Sequence, residues 1–277
     1  IPHKVAIMPL LDELTPEARL IGAVNTVQNR AGYLIGHNTD GRGFVRSLRE
    51  EAGFEAAGKH VVVLGAGGAA RAIVAQMMLE GAARITIVNR TPARAQALVR
   101  DLQAGLALLK PEGGRVPAFR ARAGEGAERP QWTRRASSAA GKAPNVPIDV
   151  YRLPTDRDRG PERALLDALQ SAHLVVNATP VGMAPNHRVP PILRPEWLSQ
   201  QSLVCDIVYT PLETSFLTAA KERGCRTLSG LGMLIFQGAV AYELFTGFHP
   251  PVDLMRDTLR RYLLRHGGTE SAPSGGE

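Results

Sequence analysis

Cysteine is nearly absent: the 277 residues hold two, Cys205 and Cys225. Two thiols in apolar, strand-like contexts do not make a disulfide framework. They read as buried and reduced, which sets a cytoplasmic expectation. Long apolar runs are missing too. None approaches the roughly 18 residues needed to cross a bilayer, so no membrane partner is expected. The opening "IPHKVAIMPLLDE" meets charge and proline at once, unlike a signal peptide. Aromatic residues supply 5% of the chain against 44% apolar residues in all, which points to an aliphatic core. The seven histidines show no metal-ligand spacing, and no metal is assigned.

Acidic residues are too few to balance the chain, which carries a net charge of +7. Between Lys110 and Arg163 there are 12 Lys/Arg and 7 Asp/Glu, so five of the seven excess charges lie in that segment. It is also rich in Gly, Pro and Ala, a composition that buries little. A solvated basic loop is the expectation. A nucleic-acid surface would set its basic residues on a folded face or among aromatics, and neither pattern is visible. No nucleic-acid partner is therefore assigned, and a polyanion- or partner-binding insertion is kept only as the remotest alternative.

What is present is an alternation. "HVVVLGAGGAARAIVAQMMLEG" reads as a buried strand, a glycine turn and a helix ending near Gly81. "RITIVNRT" is a second strand, and "PARAQALVRDLQ" a helix with Thr91 as its N-cap and Pro92 at its first position. Further on come the helix "PERALLDALQSA", the strands "HLVVNATPVGM" and "SLVCDIVYTP", the helix "TSFLTAAKERG" and the short strand "CRTLSG". "MLIFQGAVAYELFTG" and "VDLMRDTLRRYLLRH" close the series as two helices. Strands alternating with helices predict an α/β fold with a parallel sheet covered on both faces. The span from Asn89 to Leu174 is too long for one strand–helix–strand unit, so an insertion is expected at about 107–162. The Gly/Ser-rich end, 267–277, is expected to be disordered.

"VVVLGAGGAARA" places Gly65, Gly67 and Ala70 in a G-x-G-x-x-A spacing between a strand and a helix. The first glycine permits a tight turn, the second lets backbone approach a pyrophosphate, and the small third residue lets helix and strand pack closely. The helix N-terminus then offers N–H groups to phosphate. Gly65, Ala66, Gly67, Gly68 and Ala69 are the expected phosphate cradle. A dinucleotide site for NAD would place a carboxylate at the end of the second strand, on the ribose 2′-hydroxyl. Here that strand ends in Asn89-Arg90-Thr91, with Arg94 a turn later. A guanidinium suits a 2′-phosphate, and the cofactor expected is NADP.

The stretch "LIGHNTDGRGF" sets Asn38, Thr39 and Asp40 in a row before a glycine. Alone it reads as a turn. In company with "IPHK" (1–4), "GAVNTV" (22–27), "GAGGAARA" (65–72), "NRT" (89–91), "NATPVGM" (177–183), "DIVYTPLET" (206–214) and "GLGMLIFQGAVAYELFTG" (230–247), it resembles the shikimate dehydrogenase family.

The resemblance implies a Rossmann-like doubly wound NADP domain and a smaller α/β substrate domain facing it across a cleft. Lys4 and Asp40 would be the catalytic pair, with Asn25, Asp40 and Gln237 on the substrate hydroxyls. Thr179, Tyr209, Gly230 and Met233 would sit on the cofactor side, the last three near the nicotinamide. The implied layout is 1–41 for the substrate domain, 42–239 for the NADP domain and 240–266 for helices returning to the substrate domain. The implied reaction is reversible, NADP-dependent reduction of 3-dehydroshikimate to shikimate. The implied substrate is small, and the chain would be a monomer or homodimer. Some relatives are fused to a dehydroquinate dehydratase. The resemblance also implies strands and a serine pair upstream of Lys4, in a part of the substrate domain this sequence does not include, and so exposed sheet edges and apolar surface. Two rivals share the fold: a quinate dehydrogenase using NAD, and a non-catalytic regulator that binds pathway metabolites. A pure binder has no use for the proton carrier Lys4.

Overall fold

The computed structural model describes residues 3–108, 146–155, 158 and 160–266. Two sheets organise it. The small one has three strands in the order β1 (Glu13–Leu14), β3 (Tyr33–His37), β2 (Thr26–Arg30). β2 and β3 form an antiparallel hairpin, and β1 runs parallel to β3. At the hairpin tip Ala31 and Gly32 both take positive φ, as a two-residue turn that follows the strand twist requires. The helix α1 (Pro16–Ile21) crosses from β1 to β2. Thr15 caps it, and Gly22 ends it in a left-handed conformation.

The large sheet has six strands in the order β6-β5-β4-β7-β8-β9, all parallel. The strands are β4 (His60–Leu64), β5 (Arg84–Asn89), β6 (Ile148–Arg152), β7 (Leu174–Asn177), β8 (Leu203–Asp206) and β9 (Arg226–Leu228). Relative to chain order this is 3-2-1-4-5-6, the doubly wound arrangement with its switch point between β4 and β7. Alternating side chains go to opposite faces. Val61, Val63, Ile85, Ile87 and Val176 join one core, while Val62, Leu64, Val88, Val175 and Val204 join the other. With both faces covered, the strands read as continuous apolar runs.

Helices α3 (Gly68–Leu79) and α4 (Pro92–Leu108) follow β4 and β5. Helices α5 (Arg163–Gln170) and α6 (Ser215–Glu222) follow β6 and β8. The long helix α2 (Asp40–Ala52) leaves the small sheet for the large one. It packs along α7 (Leu231–Thr246), which is followed by α8 (Val252–His266). α2 and α7 each run unbroken across an expected domain boundary, 41/42 and 239/240.

One expectation needs correction. The region 107–162 is not a single loop: α4 runs to Leu108, and Ile148–Arg152 forms β6, the edge strand beside β5. Charge counted over the whole segment hid a short apolar run. Ile148 and Val150 pack on one face of the sheet and Tyr151 and Leu153 on the other. Residues 109–145 and the tail 267–277 lie outside the described residues. Val5, Leu10, Phe245, Phe248 and Leu254 stand exposed.

Candidate active site

The question raised by Asn38-Thr39-Asp40 is answered by burial. All three are at most 5% exposed, although polar. They leave the end of β3, and Asp40 is the first residue of α2. Each of these three side chains has a partner. The Asn38 side chain donates to Ala23 O (3.0 Å), and its oxygen accepts from Asp40 N–H (3.0 Å). Thr39 N–H donates to Asn25 Oδ1 (2.9 Å). The carboxylate of Asp40 is thus held by backbone geometry before any ligand arrives.

Around it the sequence-predicted substrate residues converge. Lys4 Nζ lies 2.6 Å from Asp40 Oδ2. Asn25 Nδ2 donates to Asp40 Oδ1 (2.8 Å) and Thr39 Oγ1 (3.0 Å), with Gln237 Oε1 at 3.5 Å. Lys4 sits in a turn that is tied down where Val24 N–H donates to Lys4 O (2.8 Å). Its side chain is 30% exposed against 8% for that of Asp40, so the ammonium is the accessible member of the pair. Four residues from four separate segments therefore form one polar cluster.

Gly41 and Gly43 allow this. A Cβ on Gly41 would sit 2.9 Å from Ala72 O on α3, and one on Gly43 would sit 2.5 Å from the backbone nitrogen of Gln237 on α7. The first turn of α2 is wedged between helices that belong to the large sheet and to the C-terminal part. Sequence reading gave no role to these glycines. The signal was the run "NTDGRG" itself, whose small and polar residues make little sense in a helix N-terminus packed on two sides unless close approach is needed.

The dinucleotide motif sits where the doubly wound fold places a ligand, at the carboxyl ends of the strands beside the switch point. Gly65 has φ +110°, and a Cβ there would meet Thr179 Cγ2 at 2.9 Å. Gly67 and Gly68 differ: neither has positive φ, and a Cβ on either would meet nothing within 4 Å. Neither conformation nor packing calls for glycine at these two positions. Their bareness opens a cradle at the start of α3, whose N-cap residue Gly67 makes no side-chain capping bond. A pyrophosphate fits such a cradle.

The other expected cofactor residues lie along the same edge. Asn89 ends β5, and its side chain donates to Thr91 O (2.8 Å), shaping the turn before α4. Arg90, Thr91 and Arg94 are exposed there, and neither arginine pairs with a described carboxylate. Thr179 leaves β7, and Tyr209 leaves β8 with 37% exposure. Gly230 has a packing role of its own, since a Cβ would collide with Ile207 O. Met233 packs against the main core. Among the described residues no group of three His, Cys, Asp or Glu could hold a metal ion, and no helix is long and apolar enough to cross a membrane.

Comparison with known proteins adds the decisive observation. Three family models match in order: the shikimate dehydrogenase substrate binding domain over 1–27, shikimate / quinate 5-dehydrogenase over 48–110, and the shikimate 5′-dehydrogenase C-terminal domain over 230–260. A shikimate dehydrogenase (NADP(+)) of Desulforamulus reducens is 40% identical over 265 residues, covering 96% of this chain and 76% of the relative. The chain belongs to the shikimate dehydrogenase family. Solved members superpose on it. A shikimate dehydrogenase in complex with NADP+ matches with a TM-score of 0.71 at 34% identity, covering 95% of this chain and 74% of that one. The Listeria monocytogenes shikimate 5-dehydrogenase, in complex with shikimate and NAD, matches with a TM-score of 0.73 at 33% identity, covering 94% and 75%. Family membership accounts for the order of the motifs and for the six-stranded sheet beside a smaller mixed one.

Proposed function

We propose that this chain catalyses the reversible NADP-dependent reduction of 3-dehydroshikimate to shikimate. One observation carries the reading: Lys4, Asn25, Asp40 and Gln237 converge on a single cluster, in a chain whose relatives act on shikimate with NADP(+). The bound dinucleotide supplies the hydride for ketone reduction, or takes it from the alcohol. The protein does the rest.

Reduction of a ketone leaves negative charge on its oxygen, and that oxygen needs a proton. Lys4 presents an ammonium from the accessible side of the pair. It donates that proton as charge develops and recovers it in the reverse direction. Asp40 holds Lys4 in place and accepts a hydrogen bond from a substrate hydroxyl. Asn25 and Gln237 present amides, each able to donate and accept, to neighbouring hydroxyls. A ring with several hydroxyls is the ligand these groups suit. On the cofactor side Gly65, Ala66, Gly67, Gly68 and Ala69 would receive the pyrophosphate, and Asn89, Arg90, Thr91 and Arg94 the 2′-phosphate. Thr179 would contact the cofactor, with Tyr209, Gly230 and Met233 near the nicotinamide. The division into a substrate part (1–41, with 240–266 returning to it) and an NADP part (42–239) belongs to the same proposal.

The test is spectrophotometric. The purified chain is offered shikimate or quinate, each with NADP⁺ and with NAD⁺, while reduced nicotinamide is followed by absorbance. Shikimate with NADP⁺ should be the preferred pair. A clear preference for quinate with NAD⁺ would replace this reading by that of a quinate dehydrogenase.

A further inference from the structure

In the motif "DIVYTPLET" the proposed mechanism uses Tyr209 and has no part for the aspartate, Asp206. Asp206 ends β8 at 1% exposure, and Asn177 ends the adjacent β7 at 0%. Their side chains meet: Asn177 Nδ2 donates to Asp206 Oδ1 (3.0 Å). Asp206 Oδ1 also accepts from Val208 N–H (3.0 Å), and Oδ2 accepts from the Thr214 hydroxyl (2.7 Å). Thr214, 1% exposed, is also the N-cap of α6. On the other side Asn177 Oδ1 accepts from Thr179 N–H (3.0 Å) and from its hydroxyl (2.7 Å), and Asn177 Nδ2 reaches Val181 O (3.2 Å).

The network grips both loops that leave the carboxyl edge of the sheet. One carries Thr179, which touches the dinucleotide turn at Gly65. The other carries Tyr209. The loops are joined again where Ala184 N–H donates to Thr210 O (2.8 Å). The chain of contacts also reaches the substrate cluster. Val208 O accepts from Gly230 N–H (3.2 Å), and Gly230 caps α7, the helix that carries Gln237.

We propose that Asp206 is a positioning residue for hydride transfer, holding the Thr179 and Tyr209 loops, and through Gly230 the start of α7, in register with the dinucleotide site. In a doubly wound sheet the second mononucleotide half lies over strands on the far side of the switch point, here β7 and β8. A buried carboxylate that accepts three hydrogen bonds over-determines that edge. The role needs hydrogen-bond partners on both sides of the side chain, not charge. An asparagine could accept from Val208 and Asn177 through its oxygen and donate to the Thr214 hydroxyl through its amide. This inference rests on the proposed dehydrogenase reading.

The experiment compares Asp206→Ala and Asp206→Asn in the full chain. Steady-state rates are measured with shikimate and NADP⁺, together with the primary isotope effect from shikimate deuterated at the reacting carbon. Misplacement of the reacting atoms by about 1 Å costs about a hundredfold in rate. The alanine variant should therefore lose about that much in kcat, with an enlarged isotope effect and an unchanged shikimate dissociation constant by calorimetry. The asparagine variant should recover most of the rate. Equal loss in both variants would assign the effect to charge and overturn the proposal, as would an alanine variant with wild-type kcat and isotope effect. Should Asp206→Ala not fold, Thr214→Val, which removes one donor to the same carboxylate, should enlarge the isotope effect, and a wild-type value overturns the proposal. Should the wild-type chain not oxidise shikimate, the functional reading fails separately. NADPH fluorescence titration then decides the role of the clasp: binding weakened about tenfold by alanine but not by asparagine supports it, and equal binding overturns it.

Discussion

Asp40 shows how much a single residue owes to its neighbours. Its side chain is 8% exposed, and it faces both an ammonium and an amide. A carboxylate so placed is held by hydrogen bonds before substrate binds, which is where orientation contributes most to a rate. Substituting Lys4 should leave the fold intact, because the lysine's structural link is its backbone carbonyl to Val24. Proton transfer by a positioned group contributes about a hundred- to ten-thousand-fold, and Lys4→Ala should lose kcat within that range. Arg90 and Arg94 make a different prediction. A hydrogen bond to a charged group is worth roughly 1.5–3 kcal/mol, and roughly 1.4 kcal/mol is tenfold in affinity. Replacing both by alanine should raise the KM for NADP⁺ about tenfold or more and leave that for NAD⁺ nearly unchanged, as read from initial rates with each dinucleotide. At this scale the sequence was most legible, because the motif residues carry their chemistry in their side chains. Asn38, Thr39 and Asp206 were less so. Their work is to satisfy buried partners, and burial cannot be read from a polar residue alone.

Among elements, α2 has the most to do. Its first turn carries Asp40, and its length joins the small sheet to the large one. Gly41 faces α3 and Gly43 faces α7, each at a distance no side chain would tolerate. Gly43→Ala inserts a methyl group against the backbone of Gln237. Overpacking of this kind costs about 1–3 kcal/mol, so the midpoint of thermal unfolding should fall. Because the displaced atom belongs to Gln237, the KM for shikimate should rise more than that for NADP⁺ when both are taken from initial rates. Gly53→Ala, at the exposed end of the same helix where a Cβ meets nothing within 4 Å, should lower stability through its positive φ without separating the two KM values. The alternating strands and helices after Gly58 were legible because both faces of the large sheet are buried and periodicity reports that directly. β6 was not, since five residues beside a long basic stretch are outweighed in any average. The buried polar start of α2 looked like a turn because Asn, Thr, Asp and Gly favour turns locally, and packing by α3 and α7 overrides that preference.

Over the whole molecule, buried histidines set a pH dependence of stability. His37, at 8% exposure, is held below the usual imidazole range by burial and then by the guanidinium of Arg42, against the pull of Glu17. Arg30 lowers it further and Glu13 raises it. Its Nε2 is buried without a partner. His60, at 7% exposure, lies between Ser171 and Thr86 and is lowered by burial and by Arg84. A histidine whose folded pKa lies below its unfolded value of about 6.5 binds fewer protons folded than unfolded in that window. Stability from both groups is present above that value and is lost as pH falls through the folded pKa. The midpoint of thermal unfolding should therefore drop as pH is lowered from neutrality through the histidine range, and His60→Gln should flatten that slope. In the proposed mechanism a proton carrier beside the small sheet serves a hydride carrier seated on the large one. That mechanism is tested most directly by the wild-type chain and Lys4→Ala side by side, with shikimate and NADP⁺ and with folding checked by circular dichroism. The wild type should form reduced nicotinamide, and the variant should do so at least about a hundredfold more slowly. Equal rates in two folded proteins would contradict it.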